Sequence, residues 1–131
     1  MNRLNTLAPT GARLLLGLIF VVFGLNYFLS FLPVPPAEGA AATFMGGLAA
    51  TGYFFPMMKS IEIAVGLALL ANRYVALALV VLAPITVNIV AYNTIDPAGL
   101  PLALLVLVLH LTVAWNRRGA YAPLLKPEVA S

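Results

Sequence analysis

Lys59 and Glu62 stand three residues apart near the start of an apolar run of transmembrane length. Charge is costly inside a bilayer, so an ionisable residue there marks a functional site by default. The bland reading is that the two neutralise each other as an i, i+3 pair, with Lys59 snorkelling to the nearby surface. Asn88 and His110 lie in two further apolar runs, and Tyr92 and Asn26 near run ends. A carboxylate and an imidazole can handle protons, and the amides can hydrogen-bond the polar end of a small molecule. Each also has a structural reading. An intramembrane Asn or His is often only an interhelical hydrogen bond, averaging about 0.6 kcal/mol, and Tyr92 suits an interfacial aromatic belt. Other chemistries are poorly served. With no cysteine, the chain by itself carries no disulfide, thiolate or thiol exchange. One His and one Glu in the apolar runs are too few for a closed zinc site, so no metal is assigned. Gly46-Gly47 lacks the Lys and Ser/Thr of a phosphate loop.

These side chains need a scaffold, and the composition names its kind. Of 131 residues, 63% are hydrophobic and 8% charged, against about 25% charged in soluble domains. The basic residues form no continuous patch, so they read as topology signals and no nucleic-acid partner is expected. Four apolar runs, at about residues 13–32, 55–72, 74–93 and 100–116, are separated by Pro33-Val34-Pro35-Pro36, Asn72-Arg73 and Asp96-Pro97-Ala98-Gly99. Each approaches the roughly 20 residues that cross a hydrocarbon core. Each must satisfy its own backbone in lipid, so helices are expected. The first run is longer than a signal-peptide core and reads as a span. The fold class expected is all-α, a single integral membrane domain built as a four-transmembrane-helix bundle. The Ala- and Gly-rich segment at about residues 37–54 is too short to span and reads as an interfacial or re-entrant helix. No internal repeat is convincing.

Four spans put Arg3, Arg13, Arg73, Arg117, Arg118 and Lys126 on one side and Glu38 and Asp96 on the other. The positive-inside rule then expects a cytoplasmic (bacterial inner) membrane with both termini cytoplasmic. Tyr27, Tyr53 and Tyr92 suit an outer aromatic belt, and Trp115 and Tyr121 an inner one. At about 1.5 Å per residue, Glu62 lies roughly 10 Å, Asn88 roughly 9 Å and His110 roughly 15 Å from the outer helix ends. All are expected in the outer half or at mid-depth. Helical spacing puts Lys59, Glu62, Gly66 and Leu69 on one stripe, and Pro84, Asn88 and Tyr92 on another. Ala103, His110, Ala114 and Arg117 share a third stripe, and Arg13, Gly17, Phe20, Gly24 and Tyr27 a fourth. Asn26 lies half a turn away from the last. Gly17, Gly24 and Gly66 read as packing residues that let helices approach closely, and Pro84 as a kink.

In the order and spacing of its pieces the chain resembles the DoxX family (DoxX/DoxD-like) of small four-helix bacterial membrane proteins. The pieces are RLLLGLIFVVFGLNYF, TGYFFPMMKSIEIAVGLALLANRY, APITVNIVAYN and DPAGLPLALLVLVL. An Arg-x3-Gly-x2-Phe-x3-Gly pattern falls on Arg13, Gly17, Phe20 and Gly24, and Lys-x2-Glu-x3-Gly on Lys59, Glu62 and Gly66. The resemblance implies a four-helix bundle with both termini inside, and an association with membrane redox systems. A related archaeal protein is a subunit of a thiosulfate–quinone oxidoreductase, and distant eukaryotic relatives act as membrane chaperones.

The leading expectation is a subunit that binds a small amphiphile, a quinone on the family association, among Lys59, Glu62, Asn88, His110, Tyr92 and Asn26. A redox partner subunit or a homo-oligomer would accompany it in the bilayer. The alternative is a non-enzymatic membrane chaperone or scaffold docking through glycine-lined faces. A third reading is a small transporter or proton relay through Glu62 and His110.

Overall fold

The computed structural model describes residues 3–127, with side chains from residue 7 onward. Its described residues hold helices and turns and no strand. Helix α1 (Arg3–Leu29) runs through Pro9 without a break and begins about ten residues before the first apolar run. A helical hydrogen-bond ladder is indifferent to side-chain polarity, so the helix outlasts the apolar stretch at this end. It ends at Ser30, whose φ of 52° turns the chain left-handed. Three prolines then hold an extended linker as far as α2 (Gly39–Ala50). With 12 residues, about 18 Å long, α2 cannot cross a bilayer.

Helix α3 (Phe54–Ala71) ends at Asn72, which is left-handed at φ 57°. Arg73 N–H donates to Ala68 O at 3.0 Å and Asn72 N–H to Leu69 O at 3.3 Å. These are the paired bonds of a Schellman end. Helix α4 (Val75–Tyr92) follows after three residues and keeps Pro84 inside it. A 3-10 turn, Pro97–Gly99, leads into α5 (Leu100–Asn116). The short α6 (Arg118–Tyr121) and a 3-10 turn at Ala122–Leu125 complete the described chain.

Helices α1, α3, α4 and α5 pack as a closed ring, α1 against α3, α3 against α4, α4 against α5 and α5 against α1. Short connections at α3–α4 and α4–α5 make those neighbours antiparallel, the up-down pattern of four-helix bundles. The α1–α3 seam is the closest. A Cβ placed on Gly66 would lie 2.8 Å from Gly17 O, and one on Gly17 2.9 Å from Gly66 O. One on Gly24 would meet Ile63 Cγ1 at 2.6 Å. All three glycines are thus spent inside the bundle.

Four segments, Leu7–Leu29, Phe54–Ala71, Val75–Tyr92 and Pro97–Asn116, are long and apolar enough to span. Only 22% to 39% of each is buried within the bundle. Leu67, Leu77, Val87, Val108 and Leu111 are each more than half exposed. A helix apolar all round needs apolar surroundings on every face, and a water-soluble monomer rarely exposes so much contiguous apolar surface. The protein is therefore a multi-pass membrane protein whose outward faces meet lipid.

The sealed core sits toward the α3–α4 turn. Leu16, Leu69, Leu79, Leu82 and Val113 have at most 2% of their surface exposed. The other end, where α2 lies, is less completely filled.

Candidate functional site

At the α2 end, the bundle holds a half-open cavity of about 260 Å³. Its walls differ in character. Helices α3 and α4 supply Lys59, Glu62, Asn88 and Tyr92, with Asn93 just beyond α4. Helix α1 contributes Ile19, Phe20 and Phe23, and α5 contributes Leu102, Ala103 and Val106. Helix α2 adds Phe44, Met45 and Leu48, and the first turns of α3 add Phe54, Phe55 and Met58. The space is apolar on three sides and polar on the α3–α4 side.

Lys59 Nζ lies 3.3 Å from Glu62 Oε1, the one ion pair among the described residues. The pair faces inward because Gly24 lets α1 lie against this turn of α3. A Cβ on Gly24 would be 3.3 Å from Lys59 O. The Glu62 side chain is 5% exposed and that of Lys59 24%, so the carboxylate is sunk and the ammonium caps it. An ammonium has three donors, and a carboxylate accepts through two oxygens. The pair therefore retains donor and acceptor capacity beyond its mutual bond.

Asn88 lines the cavity with its amide outside every hydrogen bond of the described residues. Tyr92 is held from two sides. Its hydroxyl donates to Asp96 Oδ2 at 3.3 Å, and its ring lies 5.9 Å from that of Phe44, which ties α2 to α4. Asn93 Nδ2 donates to Ile89 O at 2.8 Å, a self-satisfied position at the edge of the cavity.

The structure takes two of the expected residues elsewhere. His110 Nδ1 pairs with Thr86 Oγ1 at 2.9 Å, buried between α5 and α4 and outside the cavity lining. Asn26 folds onto its own chain, accepting from Leu32 N–H at 2.6 Å and donating to Leu32 O at 3.3 Å. It fastens the chain reversal after α1. The reason is the same for both: a buried polar group takes the nearest partner that satisfies it, and the partner depended on helix rotation or on a turn beyond the helix.

Thr86 and Arg13 were not singled out for their contacts. Thr86 is the polar residue two positions before Asn88, and helical spacing turns it toward α5. Arg13 is buried and donates through Nη1 to Leu69 O and, at 3.4 Å, to Leu70 O. It thus adds a second donor to Leu69 O, which already accepts from Asn72 N–H, and one to Leu70 O, at the end of α3, where a cation also meets the negative end of the helix dipole. The signal in the sequence was a lone cation inside the start of an apolar run.

The arrangement can hold a molecule that has an apolar body and both hydrogen-bond acceptors and donors at its head. It presents no activated nucleophile. Comparisons with protein-family profiles, curated proteins and solved structures found no match, so the site is read from its own geometry.

Proposed function

We propose that this protein is a DoxX-like subunit of the bacterial inner membrane, with both termini cytoplasmic, that binds a quinone-class amphiphile in the cavity at the α2 end. The observation that carries the reading is the two-sided cavity. Aromatic and Met side chains suit a flat ring and the start of an isoprenoid tail. The opposite wall offers Lys59 and the Asn88 amide as donors to a ring carbonyl, and Glu62 as acceptor from a quinol hydroxyl. A volume of about 260 Å³ is slightly below the roughly 300–1,000 Å³ of ligand pockets. This suits a headgroup whose tail leaves the cavity for lipid. The role is to hold the quinone for a redox partner; with no cysteine, the chain itself offers no thiol redox couple. The orientation rests on the cations at the end away from α2.

A scaffold role is the second reading. It is supported by the outward face of α2, where a Cβ on Gly46 or Gly47 would meet nothing within 4 Å. The glycines of α1 and α3 do not serve it, being occupied within the bundle.

Native mass spectrometry of gently solubilised protein tests the proposal, with wild type beside Glu62→Gln and Asn88→Leu. The expected result is a retained prenylated quinone that either substitution removes or sharply reduces. A bare wild type, or a lipophile held equally by all three, would refute it. A co-purifying protein unaffected by both substitutions but lost with Gly46→Trp would establish the scaffold reading.

A further inference from the structure

A second concavity lies at the opposite end of the bundle, on its lipid-facing side. It is a groove of about 720 Å³ between the beginning of α1, at Ala8 and Pro9, and the last turns of α5. Along α5 its floor is graded. Val108 and Leu111, each 58% exposed, are followed by Trp115, 69% exposed, and then by Arg118. The spacing of three and four keeps Val108, Leu111 and Trp115 on one stripe of α5, and Arg118, at the start of α6 past the break at Arg117, lines the same groove. From Val108 to Trp115 the groove offers about 10 Å of apolar wall.

Arg118 is held in place at the mouth. Its Nη1 donates to Trp115 O at 2.8 Å, and its Cζ lies 4.6 Å from the Trp115 ring centroid. One of the five guanidinium N–H donors is thereby engaged, and the exposed side chain lines the groove. Asn116 lines the groove beside it. Among the described residues the neighbouring charge is of one sign. Arg73 and Lys126 are exposed at this end, and Arg117 donates to Asn72 Oδ1 at 2.8 Å. The acidic residues of the described chain, Glu38, Glu62 and Asp96, all lie toward the α2 end.

We infer that this groove is a binding site for one anionic phospholipid, its phosphate on Arg118 and an acyl chain along Leu111 and Val108. The charge decides the headgroup. A cluster of cations with no described carboxylate beside it favours a net-negative lipid over a zwitterionic one, whose ammonium it repels. The apolar floor decides between a lipid and a free phosphate, which would cover only the mouth. Charge also disfavours a second copy of this chain, because self-association through this face sets the cations against one another. The inference is independent of the quinone reading, since the two concavities share no residue.

The test is reconstitution into nanodiscs with equal phosphatidylglycerol and phosphatidylcholine. Gentle detergent extraction and native mass spectrometry then count the lipids retained. Wild type is expected to keep one phosphatidylglycerol with at least about fivefold preference, the scale of one arginine at a membrane surface. Arg118→Gln should abolish the preference, and Leu111→Trp, which fills the groove without changing charge, should remove the retained lipid. Arg73→Gln, the same loss of charge outside the groove, should leave both unchanged. Circular dichroism identifies the variants that keep the fold; both groove positions are exposed, so both are expected to. Equal loss in Arg73→Gln would overturn the site in favour of diffuse surface charge. Displacement of the lipid by millimolar glycerol phosphate would overturn the lipid assignment, and a dimer mass that Leu111→Trp disperses would show that the occupant is a second copy.

Discussion

Gly66→Ala is expected to destabilise the bundle by about 2 kcal/mol, although alanine is the better helix former. The new Cβ would lie 2.8 Å from Gly17 O, 3.0 Å from Val21 N and 2.7 Å from Val21 Cγ2. The side chain of Val21 can rotate, but the two main-chain atoms belong to a helix and cannot move singly. Ordinary contact begins at 3.4 Å, so α1 and α3 must separate by about 0.6 Å at their crossing. A gap of that size forfeits about a quarter or more of the dispersion energy of the contacts it opens. Overpacking costs about 1–3 kcal/mol, and rigid backbone on the far side puts this site near the upper limit. Helix propensity returns about 1 kcal/mol. The mirror substitution, Gly17→Ala, meets Gly66 O at 2.9 Å and should cost a similar amount. The double variant should lose clearly less than the sum, because one separation of the helices accommodates both methyl groups. Gly46→Ala on α2, where nothing lies within 4 Å, should instead stabilise by about 0.5–1 kcal/mol. Unfolding by denaturing detergent in mixed micelles, followed by circular dichroism, gives all four values. A Gly66→Ala protein as stable as wild type, or a double variant additive to within about 0.5 kcal/mol, would refute the close α1–α3 crossing.

Three further outcomes are expected. Arg13→Leu should destabilise by about 2–3 kcal/mol, the scale of a charged hydrogen bond lost to buried carbonyls. The exposed Arg73→Leu should stay within about 0.5 kcal/mol in the same unfolding assay; equal losses would remove the capping role of Arg13. Thr86→Val should cost about 0.6 kcal/mol, and no more than about 1.7, while leaving ligand retention at the α2-end cavity intact; loss of the ligand would bring His110 into the site. Tyr121, beyond the last span, donates to Ala76 O at 2.9 Å. Burial raises its pKa above the ordinary 10.0, partly opposed by Arg117. A raised pKa means the folded state holds its proton more tightly. The contribution is complete below pH 10 and is lost as pH rises through the folded value. Alkaline melting curves should therefore fall more steeply for wild type than for Tyr121→Phe, and parallel curves would refute it.

Four spanning helices and their order were legible in the sequence, because a transmembrane helix satisfies its backbone within its own segment and needs no neighbour to form. The same holds for the Lys59–Glu62 pair, since residues three apart meet on one helix whatever lies around it. The ends of α1 were less legible, because the apolar run marks what lies in lipid and not where hydrogen bonding starts. Helix rotation was harder still. When nearly every face of a helix is apolar, hydropathy does not say which face turns inward, and small or polar residues must decide. Gly17 and Gly66 did so by bringing α1 and α3 together, which also put Arg13 within reach of the end of α3. His110 found Thr86 only once α4 and α5 were packed, and Asn26 found Leu32 only because Ser30 reverses the chain. The sequence alone determined a membrane bundle with an ion pair inside its second spanning helix. Only the tertiary structure decided that this pair shares a cavity with Asn88 and Tyr92, and that His110 and Asn26 do not, because hydrogen-bond partners on separate helices are set by packing angle and rotation.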